Sequence, residues 1–199
     1  MLVLASASPR RQELLRNAGI LFVARPADIP EVPQPGEAPR TFAERMAREK
    51  ARALSRKPDD FILGADTIVV VDAEILGKPR DDDDAVRMLR LLSAHKHQVI
   101  TGVCLIGPQP RTENQQPRTA FEDLRSEATL VTMDALSDDD IRSYISTREP
   151  MDKAGAYAIQ GRASRWISHI DGDYFNVVGL PVSLVYRMLR ERAAIQTET

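Results

Sequence analysis

Four side chains in this sequence stand where folding alone explains them least, Arg10, Arg11, Lys50 and Asp66, and Lys78 follows close behind the last of them. In "LASASPRRQELLRNAG" the apolar run from Leu2 to Ala5 reads as a short buried strand. A helical pattern starts at Pro9, with Leu14, Leu15 and Ala18 on one side and Gly19 as the stop. Serine as N-cap followed by proline is a strong helix start. Arg10 and Arg11 then fall in the first turn, against the positive end of the helix dipole, where acidic residues normally sit. Together with the free backbone N–H groups and the hydroxyls of Ser6 and Ser8, two guanidinium groups make an anion site. Phosphate is the anion whose oxygens guanidinium pairs bidentately. The competing reading is a solvated surface pair with carboxylate partners elsewhere. The stretch is not a P-loop, because the G-x-x-x-x-G-K-[ST] spacing is absent.

Lys50 is the second anomaly. The helical pattern over residues 41–56 has an apolar stripe through Ala43, Met46, Ala47 and Leu54, and at about 100° per residue Lys50 falls in the middle of it. A lysine there either snorkels past the edge of the core or aims its ammonium into a polar cleft. Asp66 is the third. It interrupts the β-branched run "GADTIVVVD", where aspartate is disfavoured, so it marks either a bend after Gly64 or a carboxylate placed for Mg²⁺ binding or general-base work. Lys78, in "LGKP", is one short hairpin further on and is either an ordinary turn lysine or a cation presented to the same place. Two arginines, two lysines and one strand carboxylate suggest a polyphosphate substrate with a divalent cation. No Ser-His-Asp set is legible, and His95, His97 and His169 show no metal-ligand spacing.

The elements that must position these groups alternate strand and helix, which is the α/β pattern. Strands are expected at "ILFVARPAD", "FILGADTIVVVD", "ILGKP", "HQVITGVCLIG", "EATLVTM", "AGAYAIQG" and "RWISHIDGDYFNVVG". The run Asp81 to Asp84 invites a metal reading, but it precedes the helical pattern Val86, Leu89, Leu92 that closes at His95, Lys96 and His97. Complementing the helix dipole explains it better. Ser137 and Asp140 form a capping-box pattern, Pro181 opens a last helix, and "PQPRTENQQPRTAFED" reads as an exposed loop. With 199 residues, 43% hydrophobic and 28% charged, the chain suits one fair-sized soluble domain. A net charge of −2 argues against a nucleic-acid partner bound by bulk electrostatics. One cysteine, Cys104, excludes an internal disulfide and fits a reducing compartment. The first apolar run is too short for a signal-peptide core and no stretch approaches a membrane span, so a cytoplasmic protein without membrane contact is expected.

In order along the chain, "LASASPRR", "MAREKA", "GADTIVV", "GKPRD", "DKAGAYAIQG" and "GDYFNVVGLP" resemble the motifs of the Maf family of nucleoside triphosphate pyrophosphatases. The resemblance implies one Maf-like domain over residues 1–199. Its α/β fold has a central mixed sheet flanked by helices, in two lobes around a deep nucleotide-binding cleft. It implies hydrolysis of a nucleoside triphosphate between the α- and β-phosphates, as nucleotide-pool house-cleaning, with a divalent cation (Mg²⁺, Mn²⁺ or Co²⁺) and a homodimer. The family's catalytic aspartate falls on Asp66 and its phosphate-binding set on Ser6, Ser8, Arg10, Arg11, Lys50 and Lys78. A glutamate that helps Asp66 hold the metal matches Glu31, with Pro30 where an acidic residue often precedes it. Arg10, Thr67 and Gln160 match the branch similar to dTTP/UTP pyrophosphatases, whereas the 7-methyl-GTP branch carries Trp, Gln and Glu there. Two departures are Trp166, in strand packing or altering dimer contacts or a cleft wall, and a longer polar loop around Pro108 to Pro117. The rival reading is a non-catalytic nucleotide-binding regulator of septum formation and cell division.

Overall fold

A computed structural model describes residues 1–108, 120–192 and 194. Its elements run β1 (Leu2–Leu4), α1 (Pro9–Asn17), β2 (Val23–Ala24), α2 (Pro39–Arg52), β3 (Phe61–Val71), β4 (Glu74–Leu76), α3 (Asp82–Leu92), β5 (Lys96–Pro108), β6 (Ala120–Met133), α4 (Asp138–Ser146), β7 (Ile167–Asp171), α5 (Tyr174–Val178) and α6 (Val182–Glu191). Short 3₁₀ turns occupy Glu149–Asp152, Ala154–Ala156 and Arg162–Trp166. The strands form one seven-stranded sheet in the order β2-β1-β3-β5-β6-β7, with β4 added to β3. β1 runs parallel to β2 and β3, while β3–β4 and β6–β7 are antiparallel, so the sheet is mixed and the α/β expectation holds.

By its contacts the chain divides into two units, and β3, β5 and β6 each contribute residues to both. The first holds the described residues of Met1–Asp66, Thr101–Glu127 and Gly179–Thr199; the second holds Thr67–Ile100 and Ala128–Val178. In the first unit, a cluster of Val3, Ala5, Ala47, Ala51, Ile62 and Cys104 joins α2 to the sheet. The approach is close because two glycines allow it. A Cβ on Gly64 of β3 would lie 2.1 Å from the Ala47 carbonyl oxygen, and one on Gly102 of β5 would lie 2.3 Å from that of Ala43. Alanines every fourth residue on α2 therefore rest directly on strand backbone. Burial also drives the Cys104 thiol pKa up to about 12.

The second unit has a larger core in which Val69, Leu76, Met88, Leu89, Leu92, Val131, Ile141, Tyr144, Tyr157 and Trp166 are buried together. Trp166 thus packs inside this core. Helix α3 starts as its acidic run predicts: the Asp81 side chain accepts from the Asp84 N–H at 2.8 Å, with three aspartates in the first turn. It closes earlier than expected, at Leu92, so Arg90 is its last-turn cation; Lys96 and His97 already belong to β5. The capping box of Ser137 and Asp140 forms at α4.

Three further expectations need correction. The second strand shrinks to Val23–Ala24. "AFED", assigned to a loop, begins β6, because its polar side chains are satisfied in place: Asp123 accepts from Arg125 and Arg192, and Glu122 pairs with Arg48 and Arg52. The rest of that expected loop, residues 109–119, lies outside the described residues. "AGAYAIQG" is not a strand. Its backbone donors go elsewhere, Gly155 N–H to the Gly77 carbonyl at 3.0 Å and Ala158 N–H to the Tyr144 hydroxyl at 3.1 Å, so it has no ladder to join. In "RWISHIDGDYFNVVG" only Ile167–Asp171 is strand; Asp173 then accepts the Phe175 N–H at 2.7 Å and α5 follows.

Candidate active site

The close seating of α2 places Lys50 over β3. Gly64 and Asp66 are two residues apart and so face the same side of the strand, the side that α2 covers. Lys50, one helical turn beyond Ala47, reaches Asp66 with its ammonium: Nζ donates to Asp66 Oδ1 at 2.6 Å. The same Nζ lies 2.6 Å from Glu31 Oε1, on the irregular segment before α2. Lys50 and Asp66 side chains are 9% and 8% exposed, whereas Glu31 is 43% exposed. Of the two readings left open, snorkelling is excluded: the ammonium is buried and paired. Asp66 is not at a bend, since it lies within continuous β3.

Arg11 completes the charge balance. It is buried, its Nε donates to the Gly179 carbonyl at 2.9 Å, and Nη1 donates to Ser6 Oγ at 3.2 Å. Burial lowers its proton affinity, and the fields of Asp66 and Glu31 partly restore it. Asp66 responds in the opposite sense. Burial raises its carboxyl above the ordinary aspartate range, while Lys50 and Arg11 pull it back down. Two carboxylates and two cations are gathered in one unit, where each offsets the desolvation of the others.

The helix start is built as the sequence predicts. Ser8 is extended and its Oγ accepts from the Arg11 N–H at 3.5 Å, while Ser6 Oγ accepts from the Ser8 N–H at 3.2 Å. Arg10, beside Arg11 in the same turn, is half-buried. A solvated arginine pair is therefore not what the fold contains: Arg11 is held by protein groups. Gly179 is the contact that sequence reasoning missed. It sits in the quoted "NVVGLP" motif, and a role for that carbonyl 168 residues away has no local signal.

Ser6, Ser8, Arg10, Arg11, Glu31, Lys50 and Asp66 all belong to the first unit. Thr67, Lys78 and Gln160 belong to the second. There Lys78 is exposed in the loop after β4, next to Gly77, whose carbonyl is tied to the Gly155 N–H. Gln160 is exposed on the turn between the second and third 3₁₀ segments. Among the described residues no group of three or more His, Cys, Asp or Glu side chains is placed to hold a metal. The carboxylate pair of Glu31 and Asp66, joined through a single cation, still fits a hard ion. Mg²⁺ is characteristically held by one or two carboxylates, with substrate phosphates and water completing its shell. No helix among the described residues is long and apolar enough to cross a membrane.

Comparison with known proteins agrees with these motifs. A protein of Koribacter versatilis named dTTP/UTP pyrophosphatase is 55% identical over 195 residues, 98% of this chain and 95% of that one. Proteins of the same name from Syntrophomonas wolfei and Symbiobacterium thermophilum are 52% and 49% identical, covering 95% and 96% of this chain and 96% and 93% of their own lengths. A solved dITP/XTP pyrophosphatase from Mycobacterium abscessus covers 96% of this chain and 94% of its own at 13% identity and a TM-score of 0.39, too remote a likeness to bear on the site. The model of the Maf-like proteins matches residues 1–192, and the chain belongs to the Maf family.

Proposed function

We propose that this protein hydrolyses dTTP and UTP between the α- and β-phosphates, releasing the nucleoside monophosphate and pyrophosphate, and so removes unwanted pyrimidine triphosphates from the nucleotide pool. The observation that carries the proposal is the buried Lys50 ammonium between Asp66 and Glu31, beside Arg11 at the start of α1. Near-full-length likeness to proteins named dTTP/UTP pyrophosphatase supports the substrate.

The residues divide the work as follows. Arg10, Arg11, Ser6, Ser8 and the first N–H groups of α1 bind the triphosphate oxygens, and Lys50 and Lys78 add positive charge. Asp66 takes a proton from the water whose oxygen attacks the α-phosphorus. The bond from that phosphorus to the bridging oxygen breaks, and the guanidinium and ammonium groups stabilise the charge on departing pyrophosphate. A carboxyl raised by burial is a better base than an exposed one. Asp66 and Glu31 would hold a divalent cation, whose charge would help neutralise phosphate oxygens. Lys50 keeps both carboxylates compensated in the resting chain. Arg10, Thr67 and Gln160 select the base, Gln160 by offering an amide donor and acceptor to a uracil or thymine edge. The reading includes a homodimer in the cytoplasm, which light scattering and fractionation check.

The test is incubation with Mg²⁺ and a panel of canonical and modified triphosphates, resolving pyrophosphate from orthophosphate. Pyrophosphate with monophosphate from dTTP and UTP is the expected result. Equal turnover by Arg10→Ala and Arg11→Ala variants would remove the phosphate role. Tight nucleotide binding without turnover would favour a regulator instead.

A further inference from the structure

Gln160 rides on a turn whose two ends are fastened to one hydrogen-bonded pair. The turn closes on itself, with the Gly161 N–H donating to the Ala158 carbonyl at 3.0 Å. At its entrance the Ala158 N–H donates to the Tyr144 hydroxyl at 3.1 Å. At its exit the Arg162 N–H donates to Glu149, 3.0 Å from Oε1 and 3.3 Å from Oε2. The Tyr144 hydroxyl in turn donates to Glu149 Oε1 at 2.8 Å. Tyr144 is fully buried on α4 and meets the Trp166 ring edge-on at 5.5 Å, so its hydroxyl is a fixed point. Gly161 brings the turn down onto the carboxylate: a Cβ there would lie 2.0 Å from Glu149 Oε1. Ile159 is buried and Gln160 exposed, so the anchored turn faces one residue inward and the next outward.

None of this is needed to make the turn itself. An isolated turn of this kind needs only its own backbone bond, whereas here a carboxylate and a phenol are spent on holding both flanks. We propose that Tyr144 and Glu149 are positioning residues for base selection, fixing the 158–161 turn so that the Gln160 amide meets the base in one place. The proposal rests on the reading that Gln160 recognises the base. A mobile amide accommodates uracil, cytosine or a purine by shifting or turning over, because it offers a donor and an acceptor in either order. Selectivity requires that the backbone beneath it not move. The phosphate-handling residues of α1, α2 and β3 are carried by the first unit and the turn by the second, so loosening the turn weakens base recognition while leaving the chemical step largely intact.

The test compares Tyr144→Phe, Glu149→Ala, Glu149→Gln and Gln160→Ala in the full-length protein, measuring kcat and KM for UTP, CTP and GTP, with amide hydrogen exchange at residues 158–162. Tyr144→Phe and Glu149→Ala each remove two hydrogen bonds of the clamp and are expected to raise KM for UTP about five- to tenfold, the size of one lost hydrogen bond between the Gln160 amide and the base. Their kcat for UTP stays within about twofold, and the preference for UTP over CTP and GTP narrows as the turn exchanges faster. Glu149→Gln keeps an acceptor for the Arg162 N–H and recovers most of the preference. If the two variants lower activity on all three nucleotides alike, or change only thermal stability, the pair is structural and the proposal fails. If Gln160→Ala shifts the preference while they do not, only the clamp is overturned. If Gln160→Ala leaves the preference unchanged, the reading of Gln160 falls and takes the clamp with it.

Discussion

The two units treat buried polarity in opposite ways. The first buries full charges against one another: Lys50 between Asp66 and Glu31, with Arg11 near both. Apart from Asp84 at the start of α3, which is paired with Arg80 and Arg87, the second buries neutral groups and ties them to backbone or to each other. Asn176 Nδ2 donates to the Val99 carbonyl and Thr129 Oγ1, His97 shares a 2.8 Å bond with the Tyr157 hydroxyl, and Tyr144 bridges Glu149 to the Ala158 amide. Clustered compensating charge can be reassigned when a charged ligand arrives. Neutral hydrogen bonds to backbone hold shape and resist reassignment. The first arrangement suits phosphate chemistry, and the second suits a surface that must keep its form.

The largest expected effect tests the charged side. Asp66→Asn should fold, bind nucleotide within a few-fold of the parent, and lose about 10³- to 10⁴-fold in kcat; retained turnover would remove Asp66 from the base role. Packing comes next. Gly64→Ala, which forces a Cβ to within 2.1 Å of the Ala47 oxygen, should destabilise the protein by about 3 kcal/mol in denaturant unfolding. Gly77→Ala in the second unit, with open space around its added carbon, should stay within about 0.5 kcal/mol. Equal losses would erase the contrast in packing.

The neutral side has its own pH signature. Burial depresses His97 from 6.5 to about 4, so the unfolded chain takes up its proton first. Its contribution to stability is fully present above pH 6.5 and is lost as pH falls toward 4, amounting to roughly 3 kcal/mol across that window. His97→Gln should flatten the slope of stability against pH there, whatever it does to the absolute value. A smaller loss than those at Asp66, Gly64 and His97 is expected at Lys50. Lys50→Met leaves two carboxylates without their shared cation, and with Glu31 half-exposed the loss should be about 2 kcal/mol. Mn²⁺ alone should then raise the melting temperature of the variant more than that of the parent, because the ion no longer competes with an ammonium. An equal rise in both would mean that the ion binds elsewhere.

Much of the charged site was legible in the sequence because its residues violate local preference. Arginines at a helix N-terminus, a lysine in an apolar stripe and an aspartate inside a β-branched run each conflict with what folding alone selects. Glu31 emerged only through family resemblance, since a glutamate in a proline-rich segment violates nothing. The second unit was harder to read for the converse reason. In "AGAYAIQG" small apolar residues imitate a buried strand, and the groups that prevent strand pairing, the Tyr144 hydroxyl and the Gly77 carbonyl, come from distant segments. The opening of β6 was hidden by its charges, whose partners on α2 and α6 exist only in the folded chain.

Behind the seam where α2 meets the sheet lies Cys104, the only cysteine in the chain. Burial holds the thiol pKa up to about 12, so the group stays protonated at neutral pH, and that sulfur is fully buried. Thiol-directed oxidants and mixed-disulfide partners therefore find no accessible thiolate at Cys104. Inactivation through cysteine oxidation, the fate of enzymes that work through an exposed thiolate, has no foothold at this seam.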